Sequence, residues 1–174
     1  MLYQIDPAHS AAQFKVRHMM IANIRGEFDR LSGKVDFDES DPTKSTVEVA
    51  IETASISTRD PKRDQHLLAP DFFDGAQYPE ITFKSKSVAS AGNGYKVTGD
   101  LTLKGVSKEV VLNVEPVTKE VKDFWGNMRR GTAATATINR VDFGLAFNAP
   151  MEGGGVMLGE QVELTYDLEL TRQP

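Results

Sequence analysis

From Gln161 to Thr171 apolar and polar residues alternate without a break. Val162, Leu164, Tyr166, Leu168 and Leu170 fall on one side; Gln161, Glu163, Thr165, Asp167, Glu169 and Thr171 fall on the other. Successive side chains of an extended strand point to opposite faces, so this stretch is a strand with one dry and one wet face. The same beat recurs at Phe14-Val16-His18, Leu31-Gly33-Val35-Phe37, Val47-Val49-Ile51, Ile81-Phe83, Tyr95-Val97-Gly99-Leu101-Leu103 and Val110-Leu112-Val114. It returns across Met128 to Asn139, where Ala134, Ala136 and Ile138 share a face. The count is eight strands, several of them long.

Turn chemistry separates them at Asp41-Pro42, Gly92-Asn93-Gly94, Lys104-Gly105 and Gly126-Asn127. Short links between neighbours predict antiparallel hairpins in meander order. Phe28 is out of phase with Leu31, which predicts a β-bulge near Asp29-Arg30. One segment leaves the pattern: Asp60 offers a capping carboxylate and Pro61 suits a first helical position, so a short helix is expected before Pro70, with a turn at Asp71-Phe72-Phe73-Asp74. Eight long amphipathic strands admit a sandwich or a barrel; strand length favours an all-β, eight-stranded antiparallel up-and-down barrel with one short helix as a lid, residues 1–174 forming a single domain. Such a barrel is either packed solid or holds one slender ligand. Small residues at Gly99, Ala134 and Ala136 point to a cavity.

Composition removes several functions. The 20 Lys and Arg against 25 Asp and Glu give a net charge of −5, and no basic block exceeds Arg129-Arg130, so nucleic acid is not an expected partner. With no cysteine there are no disulfides, thiolate metal sites or thiol nucleophiles. No run reaches the roughly 18 apolar residues of a transmembrane helix. As written the N-terminus lacks a basic segment followed by an apolar one; the chain reads as cytoplasmic as it stands, and periplasmic if a signal has been removed.

Candidate chemistry is sparse. Asp6, His9 and Ser10 have the composition of a hydrolase triad but not the glycine-flanked serine of a nucleophile elbow, so they read as turn caps and no catalytic residue is expected. His9, His18 and His66 lack ligand spacing for zinc, and no functional metal is expected. His18 shares the inward phase of Phe14 and Val16; it is either a pore polar group meeting a headgroup or a histidine satisfied by a neighbouring strand. Arg59, Asp60, Arg63 and Asp64 read as a capped, salt-bridged surface helix. Gly153-Gly154-Gly155 fails the phosphate-loop spacing and reads as a mobile loop, a candidate portal. Phe124-Trp125 sits at a hairpin tip and is expected to fold back over the barrel mouth.

Several segments resemble the YceI-like polyisoprenoid-binding family. They are Asp6-Pro7-Ala8-His9-Ser10 with Phe14-Lys15-Val16-Arg17-His18, Gly26-Glu27-Phe28, Ser55-Ile56-Ser57-Thr58 with Arg63-Asp64-Gln65-His66-Leu67, and Phe72-Phe73-Asp74. Tyr78-Pro79-Glu80-Ile81-Thr82-Phe83, Gly99-Asp100-Leu101-Thr102-Leu103-Lys104-Gly105-Val106 and Ile138-Asn139-Arg140-Val141-Asp142-Phe143-Gly144-Leu145 follow in the family's order. The resemblance implies a lipocalin-like barrel whose pore takes a long isoprenoid or similar lipid, such as an isoprenoid quinone or a polyprenyl phosphate, with fatty lipids as adventitious occupants. The rival readings are an enzyme acting on a lipid tail in the same pocket and a solid-cored structural barrel. The expected pore wall is Phe14, Val16, His18, Phe83, Leu101, Ala134, Ala136, Phe143, Leu164 and Tyr166; the expected lid or portal is Leu67, Leu68, Phe72, Phe73 and Trp125. The bound lipid is the expected ligand and no cofactor is expected. A homodimer and a membrane redox or lipid-pathway partner stay open.

Overall fold

The computed structural model describes residues 1–174. Its strands are β1 (Leu2–Ile5), β2 (Ala11–His18), β3 (Ala22–Phe28), β4 (Leu31–Asp36), β5 (Thr46–Glu52), β6 (Ile56–Ser57), β7 (Glu80–Ala91), β8 (Gly94–Leu103), β9 (Val106–Val114), β10 (Val121–Lys122), β11 (Met128–Asn139) and β12 (Leu158–Arg172). One α-helix, α1 (Pro61–Leu68), interrupts them. Hydrogen bonding runs β1-β4-β5-β7-β8-β9-β11-β12 and returns from β12 to β1, every pair antiparallel, which closes an eight-stranded barrel. The long seam is β11 against β12, in unbroken register from Arg129↔Thr171 to Asn139↔Gln161.

Twelve segments make eight staves because the first three staves are kinked and the short β10 follows β9 along the same edge of β11. β12 pairs with β1 through Leu170–Arg172 and with β2 through Leu158–Asp167, along one edge. β3 and β4 divide in the same way between β2 and β1, and β5 and β6 between β4 and β3. Between β1 and β2, Asp6 accepts from the Ala8 N–H at 2.9 Å and caps the turn as expected, whereas Ser10 Oγ accepts from the Glu169 N–H of β12 at 2.9 Å and ties the kink to the neighbouring stave instead. Between β3 and β4, Phe28 and Leu31 are both buried although they lie three apart. A regular strand cannot do that; the bulge at Asp29-Arg30 does, and both of its N–H groups are taken up by Ser55.

The Asp60 carboxylate accepts from the N–H groups of Lys62 and Arg63 at the start of α1, satisfying donors that the helix itself cannot. The helix charges are not salt-bridged to each other as the sequence suggested. Asp64 accepts from the N–H and hydroxyl of Thr58, and Arg63 donates to the Thr58 hydroxyl and carbonyl. Thr58 is almost fully buried, so both charged side chains tie the helix down onto the barrel end. No helix is long and apolar enough to cross a membrane.

Candidate binding site

Alternation aims every second side chain of each stave at the barrel axis. Many of these residues, among them Val47, Val49, Leu112, Leu164, Tyr166 and Leu168, keep accessible surface although they point inward. The surface faces an internal void. It comprises two apolar chambers of about 90 and 100 Å³. Nineteen of the 24 residues around the first are hydrophobic, with Val35, Phe37, Val47, Val97, Leu112 and Val114 prominent. Seventeen of the 19 around the second are hydrophobic, including Phe14, Val16, Phe28, Ile138, Val162 and Leu164. Ile51, Ile81, Leu101 and Tyr166 border both, so the chambers adjoin at a waist made by these four side chains.

The wall is shaped by aromatic rings laid over glycines. A Cβ on Gly26 would lie 2.4 Å from the Phe14 ring, and one on Gly99 would lie 2.5 Å from the Phe83 ring. The missing side chain at Gly99 therefore makes room for the Lys84 carbonyl and the Phe83 ring, not for the void directly, as the sequence reading supposed. Ala134 does border the first chamber.

Arginines stand at the two ends. Arg130, buried in the wall of the first chamber, donates from Nε to the Tyr3 hydroxyl at 3.0 Å, from Nη1 to the Thr118 carbonyl at 3.0 Å and from Nη2 to Glu39 at 2.8 Å. The Tyr3 hydroxyl in turn donates to Glu120 at 2.7 Å. Burial disfavours the Arg130 charge, but the Glu39 carboxylate and the Tyr3 hydroxyl outweigh it and the pKa rises. Arg140 borders the second chamber and donates only to main-chain carbonyls, those of Gly159, Leu145, Phe147 and Leu158. Burial lowers its pKa, with Glu160 opposing weakly. At the waist, desolvation pushes the Tyr166 phenol up to about 12.

The second chamber is closed by α1 and the turn after it. Leu67, Phe72 and Phe73 border it, Phe73 meets Phe28 edge-on at 5.7 Å, and His66 meets Phe72 and Phe147 edge-on, the three ring centres lying 5.1 Å apart. Leu68 packs beside Gly75, outside the chamber wall.

Of the expected pore residues, Phe14, Val16, Phe83, Leu101, Ala134, Leu164 and Tyr166 border the chambers. Three others do not. His18 ends β2 beyond Val16, half-buried and outside the wall, because the stave turns at Met19-Met20. Phe143 follows β11 in a 3-10 turn and is consumed by core packing. Ala136 is inward and buried opposite Leu164, but its methyl does not reach the void. Trp125 is a plain correction. It is 82% exposed and Phe124 is fully exposed, because Asp123 holds their turn by accepting from the N–H groups of Trp125 and Asn127, so the hairpin stands away from the mouth. Sequence reasoning missed both arginines. The signal was present: Arg130, Thr132, Ala134, Ala136, Ile138 and Arg140 share one phase of the alternation.

The three histidines do not meet. His9 pairs with Asp6 at 2.9 Å and His66 with Asp71 at 3.1 Å. Asp6, His9 and Glu169 do converge, but the Arg129 guanidinium bridges both carboxylates and adds Asp123. The Arg129 guanidinium offsets the charge of these carboxylates.

A family model described as the YceI-like domain matches residues 3–170. The UPF0312 protein SAS2572 of Staphylococcus aureus (strain MSSA476) is 37% identical over 171 residues, 97% of this chain and 96% of that one. Among solved structures, BcnA of Burkholderia cenocepacia superposes with a TM-score of 0.81 at 25% identity, covering 95% of this chain and 98% of that one. A polyisoprenoid-binding domain from Saccharophagus degradans shares the fold with a TM-score of 0.69 at 18% identity, covering 98% of each chain. With its barrel, its waisted pore and a match across nearly its whole length, the chain belongs to the YceI-like family.

Proposed function

We propose that this protein is a binding protein, not an enzyme, and that its pore sequesters, stores or carries a long isoprenoid or similar lipid. The single observation that carries the reading is the pair of adjoining apolar chambers inside the barrel. A slender apolar chain leaving water for this tube gains about 25 cal/mol per Å² of surface removed. Ordering the chain opposes that, at roughly 0.5–1.5 kcal/mol for each immobilised rotamer-rich group. Length and girth therefore select the ligand more than polar contacts do. The Saccharophagus degradans domain, described as polyisoprenoid-binding, has the same barrel, which supports the choice of chain. An isoprenoid quinone and a polyprenyl phosphate are the two headgroup classes proposed.

Catalysis on the tail would need a group that moves protons near neutral pH. Around the two chambers the titratable side chains are Tyr3, Tyr95, Tyr166, Arg130 and Arg140, with no carboxylate, histidine or lysine. With the Tyr166 phenol at about 12, a general base is lacking. The test is native mass spectrometry of the purified protein, followed by organic extraction. One releasable polyprenyl lipid per chain is the expected result. An empty protein that refuses added polyprenyl lipid would reject the reading, and conversion of that lipid to a product would make the protein an enzyme.

A further inference from the structure

The waist of the pore holds a hydrogen-bond donor with nothing to give it to. Tyr166 lies on β12 between Ala134 of β11 and Ala12 of β2, and two methyl-sized neighbours leave its phenol free to project into the lumen. Ile51, Ile81 and Leu101, which complete the waist, offer no side-chain acceptor. The Tyr166 hydroxyl makes no hydrogen bond to the protein; every polar side-chain atom sealed away from accessible space has a partner, so this oxygen borders the void. Tyr3, by contrast, is fully buried and has its hydroxyl paired on both sides. An orphan phenol in the middle of an apolar tube is costly unless the occupant supplies an acceptor.

We infer that Tyr166 makes the pore selective for chains carrying carbon–carbon double bonds over saturated chains of the same skeleton, by donating its O–H to the π face of an alkene in the bound tail. A tail has no polar atom along its length, but an isoprenoid carries one double bond in every five-carbon unit. Whatever the axial register of the chain, one of them lies near the waist. Hydrogen bonds to π systems are weak, yet here the alternative is no acceptor at all, since the chain also displaces any water from the phenol. A saturated chain fills the tube as well and leaves the donor orphaned. The desolvation that holds the phenol's pKa high agrees with an O–H kept protonated and available to donate at neutral pH. Tyr166 is thus a specificity-determining residue, and the assignment rests on the pore being the binding site.

The experiment is a competition between squalene and squalane, a polyisoprene hydrocarbon and its saturated counterpart, neither with a headgroup. Delipidated protein takes up both from an equimolar mixture and the bound ratio is read by gas chromatography. Wild type should favour squalene roughly fivefold. Tyr166→Phe, which removes one oxygen, should bring the ratio to that of the mixture, while Leu101→Met, which reshapes the waist without changing its polarity, should keep the preference. Equal binding of the two by wild type, or a preference that survives Tyr166→Phe, overturns the inference and leaves the pore reading intact. Uptake of neither hydrocarbon overturns the pore reading, and the inference falls with it.

Discussion

Arg130 lies near the start of β11 and Arg140 just past its end, ten residues on, and they stand at the two ends of the pore, held by different chemistry. Arg130 faces a carboxylate: Glu39, itself mostly exposed, shares its charge. Arg140 faces none, and four carbonyls from both sides of the 145–159 loop converge on it. The Arg130 end is a charge network at the solvent boundary, which salt and acid reach. The Arg140 end is a main-chain staple, which they do not. One residue type thus makes a rim that ionic conditions can loosen and a wall that they cannot.

The comparison breaks most visibly at Arg140. Arg140→Met orphans four carbonyls at once and should cost about 3–5 kcal/mol, a large part of the stability of a domain this size. A urea titration measures it, and Arg140→Lys should recover only part because an ammonium cannot span the fork. Arg130→Met should cost less, about 2 kcal/mol. Tyr3 keeps Glu120 and Glu39 returns to water, which leaves the Thr118 carbonyl as the main loss. Equal losses at the two sites would erase the distinction.

Acid should sharpen it. At Arg129, the neighbour of Arg130 on the other face of β11, hydrogen bonds from His9 and Arg129 hold Asp6 down to about 2. A depressed carboxyl contributes stability that is present above its unfolded value, near 3.8, and is lost as pH falls through about 2. Asp123, also held low against its burial by Arg129 and Asn127, acts in the same direction. No carboxylate pairs with Arg140. Hydrogen exchange below pH 3 should therefore open residues 118–130 before residues 140–159; the reverse order would contradict the account.

The smallest effect is on the alkaline side. His9 is raised chiefly by its hydrogen bond to Asp6, so its contribution is complete below pH 6.5 and fades as pH rises through its folded value. Comparing the urea midpoint of wild type and His9→Gln from pH 5.5 to 8.5 should show a small gap that closes with rising pH.

The barrel was legible because its evidence is periodic. The unbroken beat from Val162 to Leu170 permits one conformation, and Pro61 and Pro70 bracket a helix. What sequence patterning could not give is how far a side chain reaches. Ala134 and Ala136 have the same phase, but only the methyl beside Tyr166 meets the void. Gly99 reads as empty space until the Phe83 ring is found lying on it. The segments β1 and β3 escape the alternation because kinks at Asp6–Ser10 and Asp29-Arg30 reset the phase. Trp125 misled because apolar character alone points inward, whereas the Asp123 turn that holds it out depends on a contact with Arg129 that no local pattern announces.

The central claim is that one lipid chain threads both chambers through the waist. Ala134→Trp places a large ring against Tyr166 in the first chamber, at a strain of about 1–3 kcal/mol that the fold should survive. Wild type and variant, prepared from the same cells, are compared by near-ultraviolet circular dichroism for folding and by extractable polyprenyl lipid per folded chain. The account predicts about one lipid per wild-type chain and little or none in the folded variant. A folded variant carrying as much lipid as wild type would contradict it and place the ligand outside the pore.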